Sequence, residues 1–288
     1  GGQPNEPQGP GGVIPIHMRP FQLEAGTKER VVEVNGSGFA RGWEVTWNGE
    51  PRPTEYVNPY VLKVTLSEED VARPQLGWMA VRDGETGQTV RAAEGFWIHV
   101  AVWHNDVVWD ESRGRLWVAV AGEPGKSGPA IALIDPATGR AERRQELSAE
   151  PQALALTGSG RYLFVARNGK LARMDTEAWT FDQEAALPIR DISGRPTEAY
   201  SMLIVPGRED QVLVSLHAPF VSPSYSGTVL VTEGVVAETR LSDREGPGNL
   251  YGWLDESTAV GGDGVSLYWM KVRSEEHTSE LQSLTNLV

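Results

Sequence analysis

Short apolar runs separated by turns rich in Gly, Pro and Asp make up most of this chain, and nowhere do apolar positions recur at the 3.6-residue helical period. The stretch Val107 to Arg140 sets the pattern. Val107-Val108-Trp109 leads into a polar turn, then Leu116 to Val120, then a glycine-rich loop, then a run closing on Asp135-Pro136-Ala137-Thr138-Gly139. This reads as three antiparallel strands, and the unit returns. Trp117-Val118-Ala119 comes back as Phe164-Val165-Ala166 and Leu213-Val214-Ser215, after 47 and then 49 residues, with a weaker copy at Ala259-Val260-Gly261. The third strands repeat as Ala130 to Asp135, Lys170 to Asp175 and Thr228 to Thr232. A period of this length, built from short strands, is the signature of propeller blades. Regular turn spacing alone also permits a plain β-sandwich.

The first hundred residues follow another rule. Residues 1–12 are too rich in Gly and Pro to pack and read as a disordered linker. Strands are expected at Val13 to Ile16, Arg30 to Val34, Glu44 to Trp47, Tyr60 to Leu66, Leu76 to Arg82 and Gly95 to Val100. Asn48-Gly49 after Glu44 to Trp47 predicts a two-residue hairpin, because a type I′ turn needs φ > 0 at both central residues. About seven short strands in under 90 residues predict a small sandwich over 13–100. Trp47, Trp78 and Trp97 are expected in its core.

These residues carry a resemblance. Val34-Asn35-Gly36-Ser37-Gly38-Phe39, Val45-Thr46-Trp47-Asn48-Gly49, Val61 to Leu66 and Phe96-Trp97-Ile98 resemble the G-S-G-F, W-N-G, mid-domain and closing-strand features of bacterial IPT/TIG domains. That implies an immunoglobulin-like fold used as a spacer or binding module. Residues 101–272 resemble YVTN-type repeats through Asn105 to Asp110, Ile131 to Gly139, Gly160 to Val165 and Ser226 to Val231, with Leu163-Phe164-Val165-Ala166 where the signature would stand. At the observed period they hold about 3.5 blades, so the expectation is a truncated, open ring prone to association. Residues 273–288 resemble a translated sequencing adapter and are expected to be foreign, without strand alternation. The fold class is therefore all-β, an immunoglobulin-like sandwich followed by a partial propeller. The combined resemblance implies a secreted, periplasmic or cell-surface bacterial protein.

Charge and chemistry narrow the function. A formal charge of −13 argues against nucleic acid or an anionic membrane as partner. With no cysteine there are no disulfides or thiolate metal sites. No apolar run is long enough to insert in a membrane. His17, His99, His104 and His217 show no metal-ligand spacing, and Asp83-Gly84 and Asp263-Gly264 read as turns rather than calcium loops. Gly158-Ser159-Gly160 precedes a strand, so it is no nucleophile elbow. Asp110 and Glu111 sit in a turn and read as solvated carboxylates. No metal, cofactor or catalytic residue is assigned.

The axial mouth of a propeller, where the blades converge, is the favoured ligand position. His104, Asn105, Asp106, Tyr200, His217 and Tyr251 are the candidates there. The same residues would equally serve to hydrogen-bond neighbouring blades. The expected function is non-catalytic binding or surface scaffolding, with a protein or carbohydrate ligand. The alternative is a propeller hydrolase of the lactonase type.

Overall fold

The computed structural model describes residues 16–123, 125, 127–188, 194, 196–219, 224–237, 246–275 and 278–284, with side chains described up to 272. The linker expected over 1–12 and Val13 to Pro15 of the first expected strand lie outside them. Every regular element among the described residues is a strand. The chain divides into two compact units, one running up to Ala101 together with Pro136–Arg140, the other comprising Val102–Asp135 and the chain from Ala141 onwards.

The first unit holds β1 (His17–Arg19), β2 (Gln22–Glu24), β3 (Val31–Asn35), β4 (Glu44–Trp47), β5 (Glu50–Arg52), β6 (Thr54–Asn58), β7 (Val61–Thr65), β8 (Gln75–Gly77), β9 (Met79–Arg82), β10 (Thr89–Arg91) and β11 (Phe96–His99). They form sheets ordered β1-β3-β7-β6, β10-β9-β4-β5 and β2-β11-β8. Period-2 alternation on β3 and β7 sends Val32, Val34, Leu62 and Val64 inward, where they meet Val45, Trp47, Met79 and Val81 of the second sheet and Phe96 and Ile98 of the third. The hairpin expected at Asn48-Gly49 is present: Trp47 pairs with Glu50, and φ is 50° at Asn48 and 91° at Gly49. Of the three tryptophans expected in the core, only Trp47 is there, 2 % exposed and edge-on to Phe96 at 6.1 Å. Trp97 alternates outward between Phe96 and Ile98 and is 53 % exposed, while Trp78 lies under the Arg91 guanidinium at 3.7 Å.

The second unit is four sheets of four strands each, taken in chain order as meanders. The first blade comprises β12 (His104–Asp110), β13 (Arg115–Val120), β14 (Ala130–Asp135) and β15 (Arg140–Glu146). The second comprises β16 (Pro151–Leu156), β17 (Tyr162–Arg167), β18 (Lys170–Asp175) and β19 (Thr180–Ala186). The third comprises β20 (Glu198–Val205), β21 (Arg208–His217), β22 (Tyr225–Thr232) and β23 (Val235–Val236). The fourth comprises β24 (Asn249–Trp253), β25 (Thr258–Gly262), β26 (Leu267–Glu275) and β27 (Thr278–Leu284). The architecture is all-β, a sandwich followed by a partial propeller. Within 273–288, the stretch expected to be foreign and without strand alternation, β27 pairs along β26 from Glu275↔Thr278 to Trp269↔Leu284 and supplies the outer strand of the last sheet.

Apolar side chains join neighbouring blades. Trp117, Ala119, Ile131 and Leu133 of the first meet Leu154, Leu163, Val165 and Met174 of the second. Leu213 and Leu230 of the third meet Ala259, Met270 and Val272 of the fourth. This corrects the repeat register. Val165 and Val214 face the preceding blade, and in the fourth blade Ala259 does so. The equivalent triplet is thus Thr258-Ala259-Val260, not Ala259-Val260-Gly261, because a one-residue slip would turn every side chain to the other face.

Asp110 is a second correction. It is not a solvated turn carboxylate but fully buried, accepting from Ser112 Oγ (2.6 Å), the Arg113 N–H (3.1 Å), Arg113 Nη1 (2.7 Å) and Trp117 Nε1 (3.0 Å). Arg113 in turn donates to the Gly160 carbonyl (2.9 Å) and to Thr176 Oγ1 (2.9 Å) of the second blade. Beside this latch, Trp179 takes the turn position that Gly139 holds one blade earlier, at φ 57°. Its ring packs on Trp117 at 5.1 Å and under Arg143 at 4.2 Å, contacts that hold a bulky residue in the left-handed region.

Candidate functional site: the cleft between the inner strands

Each blade's first strand, β12, β16, β20 or β24, faces the same cleft, and each carries a β-bulge near its start. The register slips between His104 and Asp106, between Pro151 and Ala153, between Ala199 and Ser201, and between Leu250 and Gly252. The residues left unpaired are Asn105, Gln152, Tyr200 and Tyr251. A bulge releases one side chain from the alternation of the strand and re-aims it, which is why bulges gather beside binding sites. Four blades thus present one side chain each at an equivalent place.

The cleft has a volume of about 410 Å³ and is lined by Asn105, Asp106, Val107, Val108, Leu154, Tyr200, Ser201, Met202, Asn249 and Leu250. Its walls are zipped together across blades. Asn105 Nδ2 donates to the Pro151 carbonyl (2.9 Å), and the Leu154 N–H donates to Asp106 Oδ2 (2.7 Å). The Leu250 N–H donates to Ser201 Oγ (3.1 Å). Buried Ser215 donates to the carbonyls of Pro247 and Gly248, both at 2.9 Å, and so fixes the segment that delivers Asn249. Burial pushes the Asp106 carboxyl above the ordinary aspartate range, against the pull of the Leu154 and Val107 N–H groups and of His104.

Of the six residues picked from sequence, Asn105, Asp106 and Tyr200 line the cleft. Asn105 and Asp106 also make the inter-blade bonds that were the other reading of these positions. Tyr251 follows Leu250 at the fourth bulge. His217 stacks on Tyr200 with ring centres 4.7 Å apart, and its Nε2 lies 3.9 Å from Glu198 Oε2. His104 is not among the residues lining the cleft; its Nδ1 lies 2.7 Å from the Val102 carbonyl oxygen. Gln152 was missed, although it stands 47 residues after Asn105, the same interval that separates the second strands. Among the described residues no group of three or more His, Cys, Asp or Glu comes together as a metal site would require. Asp83 and Asp263 cap turns through the Glu85 N–H and through the Val265 and Ser266 N–H groups.

No protein family matches this sequence, and no curated protein does. Several solved structures are similar. An auxiliary nutrient binding protein of Bacteroides ovatus is 12 % identical, with a TM-score of 0.37 over 98 % of this chain and 72 % of that one. The Cps50 (Swd1) β-propeller domain of Myceliophteria thermophila is 14 % identical, with a TM-score of 0.44 over 65 % of this chain and 57 % of that one. A Bacteroides fragilis protein provisionally named a 6-phosphogluconolactonase is 9 % identical, with a TM-score of 0.44 over 92 % and 83 %. At such identities the functional reading has to come from this chain's own residues. Among the described residues no helix is long and apolar enough to cross a membrane.

Proposed function

We propose that this chain is a non-catalytic, extracytoplasmic bacterial binding protein whose ligand, a glycan or a protein segment, seats in the cleft between the inner strands. On this reading the sandwich is a spacer module of the IPT/TIG type and the four sheets are YVTN-type blades. The observation that carries it is a cleft lined by all four inner strands, two of whose equivalent bulge residues, Asn105 and Tyr200, face it, and in which Asn105, Asp106 and Ser201 are tied to neighbouring backbone and so held in place before any ligand arrives. Pre-organised polar groups in a concave site are what a binding protein needs. Ser201 suits this role better than a nucleophile's, since its Oγ is engaged by the Leu250 backbone.

The test is retention of the full chain on arrays of immobilised glycans and peptides, repeated with Asn249→Ala. A specific ligand weakened by that variant supports the reading, and a ligand indifferent to it places binding elsewhere. One observation favours the hydrolase alternative, the Glu198–His217 pair at the mouth. Burial holds the His217 imidazole below its usual range despite the nearby Glu198, which favours the unprotonated form that a general base needs. Lactone or ester turnover lost in His217→Ala would decide for that alternative.

A further inference from the structure

Two tyrosines hold the same bulge position in neighbouring blades, and each is laid against the end of the second strand in its own sheet. The Tyr200 ring lies 4.7 Å from the imidazole of His217, tilted by 31°. The Tyr251 ring lies over Gly262, where a Cβ would come within 2.9 Å of its Cε2 and Oη, so that only glycine leaves room for it. His217 and Gly262 are themselves equivalent, as partners of Glu198 and Asn249, the first residues of β20 and β24. Yet the tyrosines remain 46 % and 57 % exposed. A ring held by its neighbour while half of it stays in water is a platform rather than a piece of core.

The surroundings narrow what such a platform takes. Beside Tyr200 the cleft is lined by the amides of Asn105 and Asn249 and the carboxylate of Asp106, and Tyr251 follows its lining residue Leu250. Among the described residues no Lys or Arg lines the cleft, so an anionic ligand would meet Asp106 with no cation to offset it. A pyranose ring has an apolar C–H face that stacks on an aromatic ring and hydroxyl edges that need both donors and acceptors. Amides offer both, and a carboxylate accepts.

We propose that Tyr200 and Tyr251 form a two-ring platform for an uncharged oligosaccharide, successive pyranose faces lying on the tyrosines and hydroxyls bonding to Asn105, Asn249 and Asp106. This rests on the reading of the cleft as the binding site and adds the ligand class.

The experiment is an array of neutral, uronate-bearing and amine-bearing oligosaccharides probed with the full chain, followed by calorimetric titration of the best neutral glycan. Neutral glycans should be retained. Tyr200→Ala and Tyr251→Ala should each weaken binding about tenfold or more, while Tyr200→Phe and Tyr251→Phe stay within about threefold, since the ring and not the hydroxyl carries the contact. Both side chains are exposed, so unchanged thermal unfolding of the alanine variants checks that the fold is intact. Retention of uronate-bearing glycans alone, of no glycan, or of neutral glycans with equal strength by the alanine variants would overturn the proposal. A peptide whose binding depends on Asn249 but ignores both tyrosines would sink the glycan platform and leave the cleft standing, whereas ligands indifferent to all three residues would sink both.

Discussion

Asp110→Ala should destabilise the protein by about 3–5 kcal/mol, the range for removing one partner from a buried ionic network. The carboxylate is fully buried and receives four hydrogen bonds. Its loss leaves the buried Trp117 indole N–H without an acceptor, about 1–3 kcal/mol by itself, and strips Arg113 of its counter-charge. Arg113 keeps the Gly160 carbonyl and Thr176 Oγ1, so the join to the second blade loosens without being abolished. The effect depends on pH in a defined sense. Burial alone would raise the Asp110 pKa, but Ser112, Trp117 and Arg113 outweigh it and hold the carboxyl below the ordinary aspartate range. A depressed folded pKa contributes stability above the unfolded value, about 3.9, that is lost as pH falls through the folded one. The gap between parent and variant should therefore be full at pH 7 and shrink in acid. Urea unfolding followed by tryptophan fluorescence at pH 7 and near pH 3 measures it. A gap below about 1 kcal/mol at pH 7, or one that does not narrow in acid, would refute the argument. So would strict additivity of Asp110→Ala with Arg113→Ala, since contacting residues in one network should couple.

Gly77→Ala would place a Cβ 2.0 Å from Trp47 Cη2, in a ring that has no free space to move into. A loss of about 2–3 kcal/mol in denaturant unfolding is expected, partly recovered by combining it with Trp47→Phe. Asp106→Asn tests the opposite linkage sign. A folded pKa raised by burial means that Asp106 contributes stability in acid that is lost as pH rises through the unfolded and then the folded value. Stability of the variant relative to the parent should thus increase between about pH 3 and pH 7, as thermal melts would show; a flat difference contradicts it.

The blade strands were legible because their signal is local. Leu116 to Val120 and Ala130 to Ile134 are continuous apolar runs, and the structure pairs them antiparallel, with Trp117 opposite Leu133. Asn48-Gly49 was legible for a similar reason, since backbone chirality leaves few residues for a type I′ turn. The fourth repeat slipped by one because Ala259, Val260, Gly261 and Gly262 are small or weakly distinctive, so composition could not say which faced the third blade. Trp97 was misplaced because side-chain size says nothing of which face of a strand is wet. Asp110 looked solvated because its acceptor role depends on Trp117 and on a turn that brings Arg113 back to it. Gln152 escaped notice because an amide in a strand is ordinary until the bulges line up.

Hydrogen exchange of the full chain, with and without its tightest-retained glycan or peptide, reads the location of the bound ligand directly. Slowed exchange is expected in peptides covering 104–108, 200–202 and 249–252, with the outer strands β15 and β19 and the sandwich strands β4 and β5 unchanged. Protection confined to those outer or sandwich strands, with the inner strands exchanging as in the free protein, would contradict it.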